Sequence, residues 1–148
     1  MTKSEQLDRL NKYWNENCQC KLRKTATQAV FGHGNAESDI FFIGEAPGKN
    51  EDLKGIPFIG AAGKFLDEML SKIKKKREDI YITNIVKYRP SNNRDPEQEE
   101  KEACNEWLIN ELKIISPKLI VFLGRHSMLR FFPLEKISDI HGKLLFKI

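Results

Sequence analysis

Three short apolar runs, each closed by a polar or glycine-rich turn and followed by a stretch of helical period, constrain this chain most. Ile40, Phe41, Phe42 and Ile43 run straight into Gly44 and read as a strand buried on both faces. Residues 80–86 form a second run and residues 119–123 a third. Phe65, Leu66, Met69, Leu70 and Ile73 mark an amphipathic helix after the first run. Ala103, Trp107, Leu108, Leu112 and Ile115 mark one after the second, and Met128, Leu129 and Phe132 a short one after the third. This order predicts an α/β fold of three layers, with a central, mainly parallel sheet covered by helices. Ligands in such sheets bind beyond the carboxyl ends of the strands. Those ends are Gly44-Glu45, residues 84–94 and Gly124 onward, all polar or glycine-rich.

Local signals sharpen the map. Thr2 and Glu5 read as a capping box opening an N-terminal helix with Leu7, Leu10, Tyr13 and Trp14 on its apolar side. Asp95 reads as the N-cap of the helix after the second strand, with Pro96 at its first position and Gln98 completing the cap. Residues 44–63 hold five glycines and two prolines and show no helical period. A structured loop of this length in a single domain is usually functional. Residues 144–148 read as a final short strand. The basic run Lys72, Lys74, Lys75, Lys76 and Arg77 reads as a solvated helix end.

With 148 residues the chain reads as one domain, residues 1–148. The net charge of +4 suits a polyanionic partner without demanding one. No stretch approaches the apolar length of a membrane span, and the N-terminus lacks the core of a signal peptide. The expectation is a cytoplasmic monomer that meets no membrane. Three cysteines, Cys18, Cys20 and Cys104, argue against a disulfide framework there.

The strand ends carry motifs. The first reads Gly44-Glu45-Ala46-Pro47-Gly48, then Glu51-Asp52, Gly55-Ile56-Pro57-Phe58 and Gly60-Ala61-Ala62-Gly63. The second reads Tyr81-Ile82-Thr83-Asn84-Ile85-Val86-Lys87, Arg89-Pro90 and Asn93-Arg94, and the third spans residues 117–124. In this order, over about residues 7–142, they resemble the family-4 uracil-DNA glycosylases. The resemblance implies hydrolysis of the N-glycosidic bond of deoxyuridine in DNA, with uracil-containing DNA as partner. It implies a uracil pocket of Gly44, Glu45, Ala46, Glu51, Phe58 and Asn84. Asn84 carries a donor and an acceptor on one amide and can pair with the N3–H and O4 of uracil, whereas cytosine presents the reverse pattern. Phe58 reads as a stacking face for a flipped base or as an anchor under the loop. Other glycosylase families place an Asp where Ala46 stands. Glu45 and Asn93 are therefore the candidates to hold the attacking water, and Glu45, Asn84 and Asn93 form the expected catalytic set. Lys64, at a helix start, and Arg94 are candidates for DNA phosphates. Residues 60–64 lack the glycine spacing of a phosphate loop, which excludes nucleotide hydrolysis.

Two departures stand out. The family carries a 4Fe–4S cluster on four cysteines. Here Cys20 and Cys104 match two of them, Cys18 is offset by one residue from a third, and Tyr88 replaces the fourth. Either Cys18 shifts to give three thiolates and a labile cluster, or the cluster is lost and Cys104 is simply a buried apolar residue. Loss is the expectation. The family also has a His-Pro motif further along. His141 is not that histidine, and His33 and His126 lack its context, His126 reading as a surface residue. The expectation is a chain missing the last part of the family fold, so a catalytically weak or inactive uracil- or DNA-binding remnant is the alternative function.

Overall fold

Side-chain period and capping chemistry build the elements where the sequence leads one to expect them. The computed structural model describes residues 1–140 and Gly142. The strand expected at residues 144–148 and the histidine at 141 lie outside the described residues. Helix α1 (Lys3–Asn17) opens on the capping box: the Glu5 amide donates to Thr2 Oγ1 at 3.1 Å and the Thr2 amide to the Glu5 carboxylate at 2.8 Å. Strands β1 (His33–Gly34), β2 (Ile40–Gly44), β3 (Tyr81–Asn84) and β4 (Leu119–Phe122) form one sheet in the order β1-β3-β2-β4. β2 pairs in parallel with both β3 and β4, while the two-residue β1 runs antiparallel to β3. The sheet is mixed, with the expected parallel core and one short edge strand that no sequence signal marked.

Alternation along the strands makes the layers. Phe41, Ile43 and Tyr81 face α1 and α4 (Gln98–Ile115), packing with Leu7, Trp107, Leu108 and Ile115. Phe42, Ile80 and Ile82 face the other way, onto Leu66 and Leu70 of α3 (Ala61–Lys72). Helices α2 (Lys49–Lys54), α5 (Arg125–Phe131) and the one-turn α6 (Ile137–Ile140) complete the described chain. Among the described residues no helix is long and apolar enough to cross a membrane. Register aligns Gly44 with Asn84 and Ile43 with Phe122, so the carboxyl ends of the parallel strands share one edge.

Four local expectations are corrected. The loop of residues 44–63 contains α2, a helix too short to show a period. Helix α4 starts at Gln98, and its cap is Glu97, whose amide donates to the Glu100 carboxylate at 2.8 Å. Asp95 is thereby free of capping duty. Phe65, Met69 and Ile73 are exposed, and the buried face of α3 is Gly63, Leu66 and Leu70. Arg77 is no solvated helix end: it pairs with Asp67 and donates to the carbonyls of Pro57, Phe58 and Gly63.

Beneath the sheet edge, Lys87 and Glu111 form an ion pair at 2.6 Å with both side chains fully buried. Lys87 Nζ also donates to Thr83 Oγ1 at 2.9 Å and to the Asn84 carbonyl at 2.5 Å, occupying all three of its protons. Tyr81 and Thr83 donate to the Glu111 carboxylate at 3.0 and 3.2 Å. The network fixes the strand that carries Asn84.

Candidate active site

Gly44 ends β2 opposite Asn84, and its missing side chain makes room for two groups. A Cβ built there would lie 2.3 Å from Phe58 Cζ and 2.5 Å from Asn84 Oδ1. The ring of Phe58 and the amide of Asn84 therefore meet over the same backbone atom. Asn84 is 2% exposed, and its Oδ1 is buried without a hydrogen-bond partner among the described residues. Leaving such an acceptor unpaired costs about 1–3 kcal/mol. A site that binds a donor explains why it persists. Beside it, Phe58, Phe65, Leu66, Met69, Leu123 and Gly124 line an apolar cavity of ≈ 260 Å³.

Phe58 is held under tension. Its φ of 55° lies in the left-handed region that a bulky residue rarely adopts. Arg77 grips its carbonyl, and that carbonyl presses on Gly63, where a Cβ would lie 1.8 Å away. Glu51 closes the same loop. Its carboxylate accepts from the amides of Ile59 at 2.9 Å, Gly60 at 2.8 Å and Gly48 at 3.2 Å. It works on the loop backbone and is committed to these amides. Glu51→Ala should loosen the loop, with the Ile59 and Gly60 amides exchanging with solvent roughly tenfold faster or more, as local opening loses about one hydrogen bond's worth of protection or more. Unchanged exchange at those amides would rule this staple out.

Glu45 follows Gly44 and turns toward β4. Gly124, at φ 102°, gives it space: a Cβ there would sit 2.4 Å from Glu45 Oε1. Carboxylate oxygens of Glu45 and Asp95 and an imidazole nitrogen of His126 lie within 4.8 Å of one another. His126 is not a surface histidine, since its side chain is only 11% exposed. Asp95 Oδ2 is 3.5 Å from His126 Nε2 and accepts from Arg125 at 2.9 Å. His126, then Arg125, hold the Asp95 carboxyl below the usual carboxylate range. Sequence reading treated Asp95 only as a cap and set His126 aside. The signal available for His126 was its place just beyond the third strand, where the ligand rule for parallel sheets points, whereas Asp95 lies eleven residues past Asn84.

The remaining candidates are dispersed. Ala46 packs against the core beside the turn. Asn93, at φ 56°, is exposed, and its Oδ1 accepts from Arg89 at 2.8 Å. Arg94 is exposed; it forms a two-pronged pair with the buried Glu100, both arms at 2.8 Å, and its Nη1 also donates to the Asp95 carbonyl at 3.1 Å. Lys64 is exposed on the first turn of α3.

On the α1–α4 side, Cys18, Cys20 and Cys104 are buried free thiols, at most 3% exposed. A hydrogen bond from Cys104 draws Cys18 down to about 6 and also lowers Cys20. Cys104 is pushed up by these same contacts and by burial. Tyr88, 2% exposed, stands edge-on to Trp107 with its hydroxyl unpartnered among the described residues. Burial, then the neighbouring Cys18, raises its pKa, so the phenol stays protonated at neutral pH. A four-iron cluster takes four thiolates. Three sulfurs and a neutral phenol do not fit that donor set.

Residues 31–147 match the uracil DNA glycosylase superfamily. The chain is 52% identical to the type-4 uracil-DNA glycosylase of Archaeoglobus fulgidus over 130 residues, covering 84% of this chain and 65% of that protein. It is 48% identical to the enzyme of the same name from Saccharolobus solfataricus over 133 residues, or 85% and 62% of the two chains. With that from Thermotoga maritima it shares 44% over 119 residues, or 80% and 62%. The chain spans just under two thirds of the length of these three relatives.

Proposed function

This chain belongs to the uracil-DNA glycosylase superfamily, and from that premise we propose that it hydrolyses the N-glycosidic bond of deoxyuridine in DNA, releasing uracil and leaving an abasic site. The observation that carries this reading is the meeting of Phe58 and Asn84 over Gly44 at the carboxyl edge of the sheet. Taking a base out of the stack costs a few kcal/mol. Stacking on Phe58 returns roughly 1–3 kcal/mol of it. The Asn84 amide pairs with N3–H and O4 of uracil and mismatches cytosine. Backbone amides of the turn at residues 44–46 stabilise the charge that builds on the departing uracil. Glu45 rather than Asn93 leads among the candidates to hold the water, because Asn93 is already engaged by Arg89. Lys64 and Arg94, both exposed, meet DNA phosphates, supported by the net charge of +4. The chain works as a monomer in a reducing cytoplasm, a setting its three free cysteines favour.

The test is uracil release from a uracil-containing oligonucleotide, with a thymine oligonucleotide alongside. Abasic sites that appear only with uracil support the reading. A folded chain that binds DNA and releases nothing would leave the binding remnant in its place.

For the cofactor we read loss, with a labile three-thiolate cluster as the remainder. The purified protein should carry iron well below one cluster per chain, and chelator should leave its melting temperature unchanged. Tyr88→Cys should raise iron content and visible absorbance. A full, chelator-resistant cluster in the unmodified chain would overturn this assignment.

A further inference from the structure

The imidazole of His126 is the least explained group at the sheet edge. Both its nitrogens are buried and neither has a hydrogen-bond partner among the described residues. Leaving such buried atoms unpaired is costly. Folded proteins tolerate the cost where the atom has a task. Three separate chain segments converge on it. Glu45 arrives from the end of β2, Asp95 from the segment after β3, and His126 from the first turn of α5. Their polar atoms lie within 4.8 Å of one another, while Asp95 and His126 stop at 3.5 Å, short of a good hydrogen bond. One water with hydrogen bonds of about 2.8 Å can reach acceptors up to about 5 Å apart. This spacing is right for one shared water.

The cluster and the base pocket share a wall. Glu45 adjoins Gly44, which touches Phe58 and Asn84, and its carboxylate rests on Gly124, which lines the cavity with Phe58. We propose that Glu45 and His126 hold and activate the water that attacks the sugar, with His126 as the base and Asp95 facing its imidazole. The inference rests on the glycosylase reading and deepens it. The C1′–N1 bond breaks and its electron pair leaves with uracil. The water oxygen bonds to C1′, and its proton passes to the imidazole of His126. The resulting imidazolium faces the carboxylates of Asp95 and Glu45, and gives up the proton to uracil or solvent, so one water is added across the bond. The charged groups facing His126 are Glu45 from β2, Asp95 from the segment after β3, and Arg125 on its own helix, whose guanidinium is 2.9 Å from Asp95.

The test uses single-turnover uracil release by the whole chain, beside binding to an uncleavable 2′-fluoro-deoxyuridine oligonucleotide. His126→Ala should release uracil about 10²–10⁴ times more slowly, the range for removing a positioned base, and bind the uncleavable strand as the unmodified chain does. Added imidazole should return part of the rate. Glu45→Gln should slow release without weakening binding. A His126→Ala chain with the original rate overturns the inference and leaves the glycosylase reading intact. Activity removed by chelator and restored by Mn²⁺ overturns it in favour of a cation held by the same three groups. An unmodified chain that binds and never cleaves overturns both.

Discussion

Lys87→Met is expected to lower the unfolding free energy by about 3–5 kcal/mol, because it leaves the Glu111 charge buried without its partner. Both side chains are fully buried, and Lys87 spends every proton on Glu111, Thr83 and the Asn84 carbonyl. A surface ion pair would cost at most about 1 kcal/mol, so the magnitude itself discriminates. Urea denaturation measures it as a shift in midpoint at constant slope. Replacing both partners, Lys87→Met with Glu111→Leu, should recover much of the loss, since a well-packed apolar pair avoids the desolvation that the ions suffer. A loss below about 1 kcal/mol for Lys87→Met would mean that water or another group reaches Glu111. The network also bears on the site, because Lys87 holds the backbone of Asn84.

The second large effect is Asn84→Ala. Two hydrogen bonds to uracil vanish, each worth about 1–3 kcal/mol in a buried site. Uracil release should fall by roughly 10²–10⁴-fold, and binding of the uncleavable uracil strand should weaken toward that of a cytosine strand. Asn84 is 2% exposed and its Oδ1 has no hydrogen-bond partner among the described residues, so the change removes no protein hydrogen bond of that oxygen. Stability should change little by comparison. Kinetics on a uracil strand, with the urea midpoint beside them, separate the two effects. A variant that keeps its rate would exclude Asn84 as the uracil reader.

Much of this protein was legible in one dimension. The strands with residues 41–43 and 81–84, the helices that cover them and the order of the layers follow from side-chain period, which is a local property. The capping box at Thr2 and Glu5 is also local, and it formed as expected. Gly44, Phe58 and Asn84 were found because strand ends of a parallel sheet are where ligands bind, and because their motifs resemble a known family. What the chain could not reveal by itself is which distant side chains meet. Asp95 looked like a cap until Glu97 and Glu100 took that duty. Arg77 looked like one of several solvated cations until the fold brought three carbonyls to it. Lys87 and Glu111 are twenty-four positions apart, and His126 is thirty-one from Asp95 and eighty-one from Glu45. Pairings of this kind depend on register and on which face a residue turns, and packing settles both after the local pattern has been spent. The sequence alone determined the layers. The tertiary structure decided that His126 is buried beside the carboxylates of Glu45 and Asp95, because only the folded sheet edge brings three distant chain segments to one point.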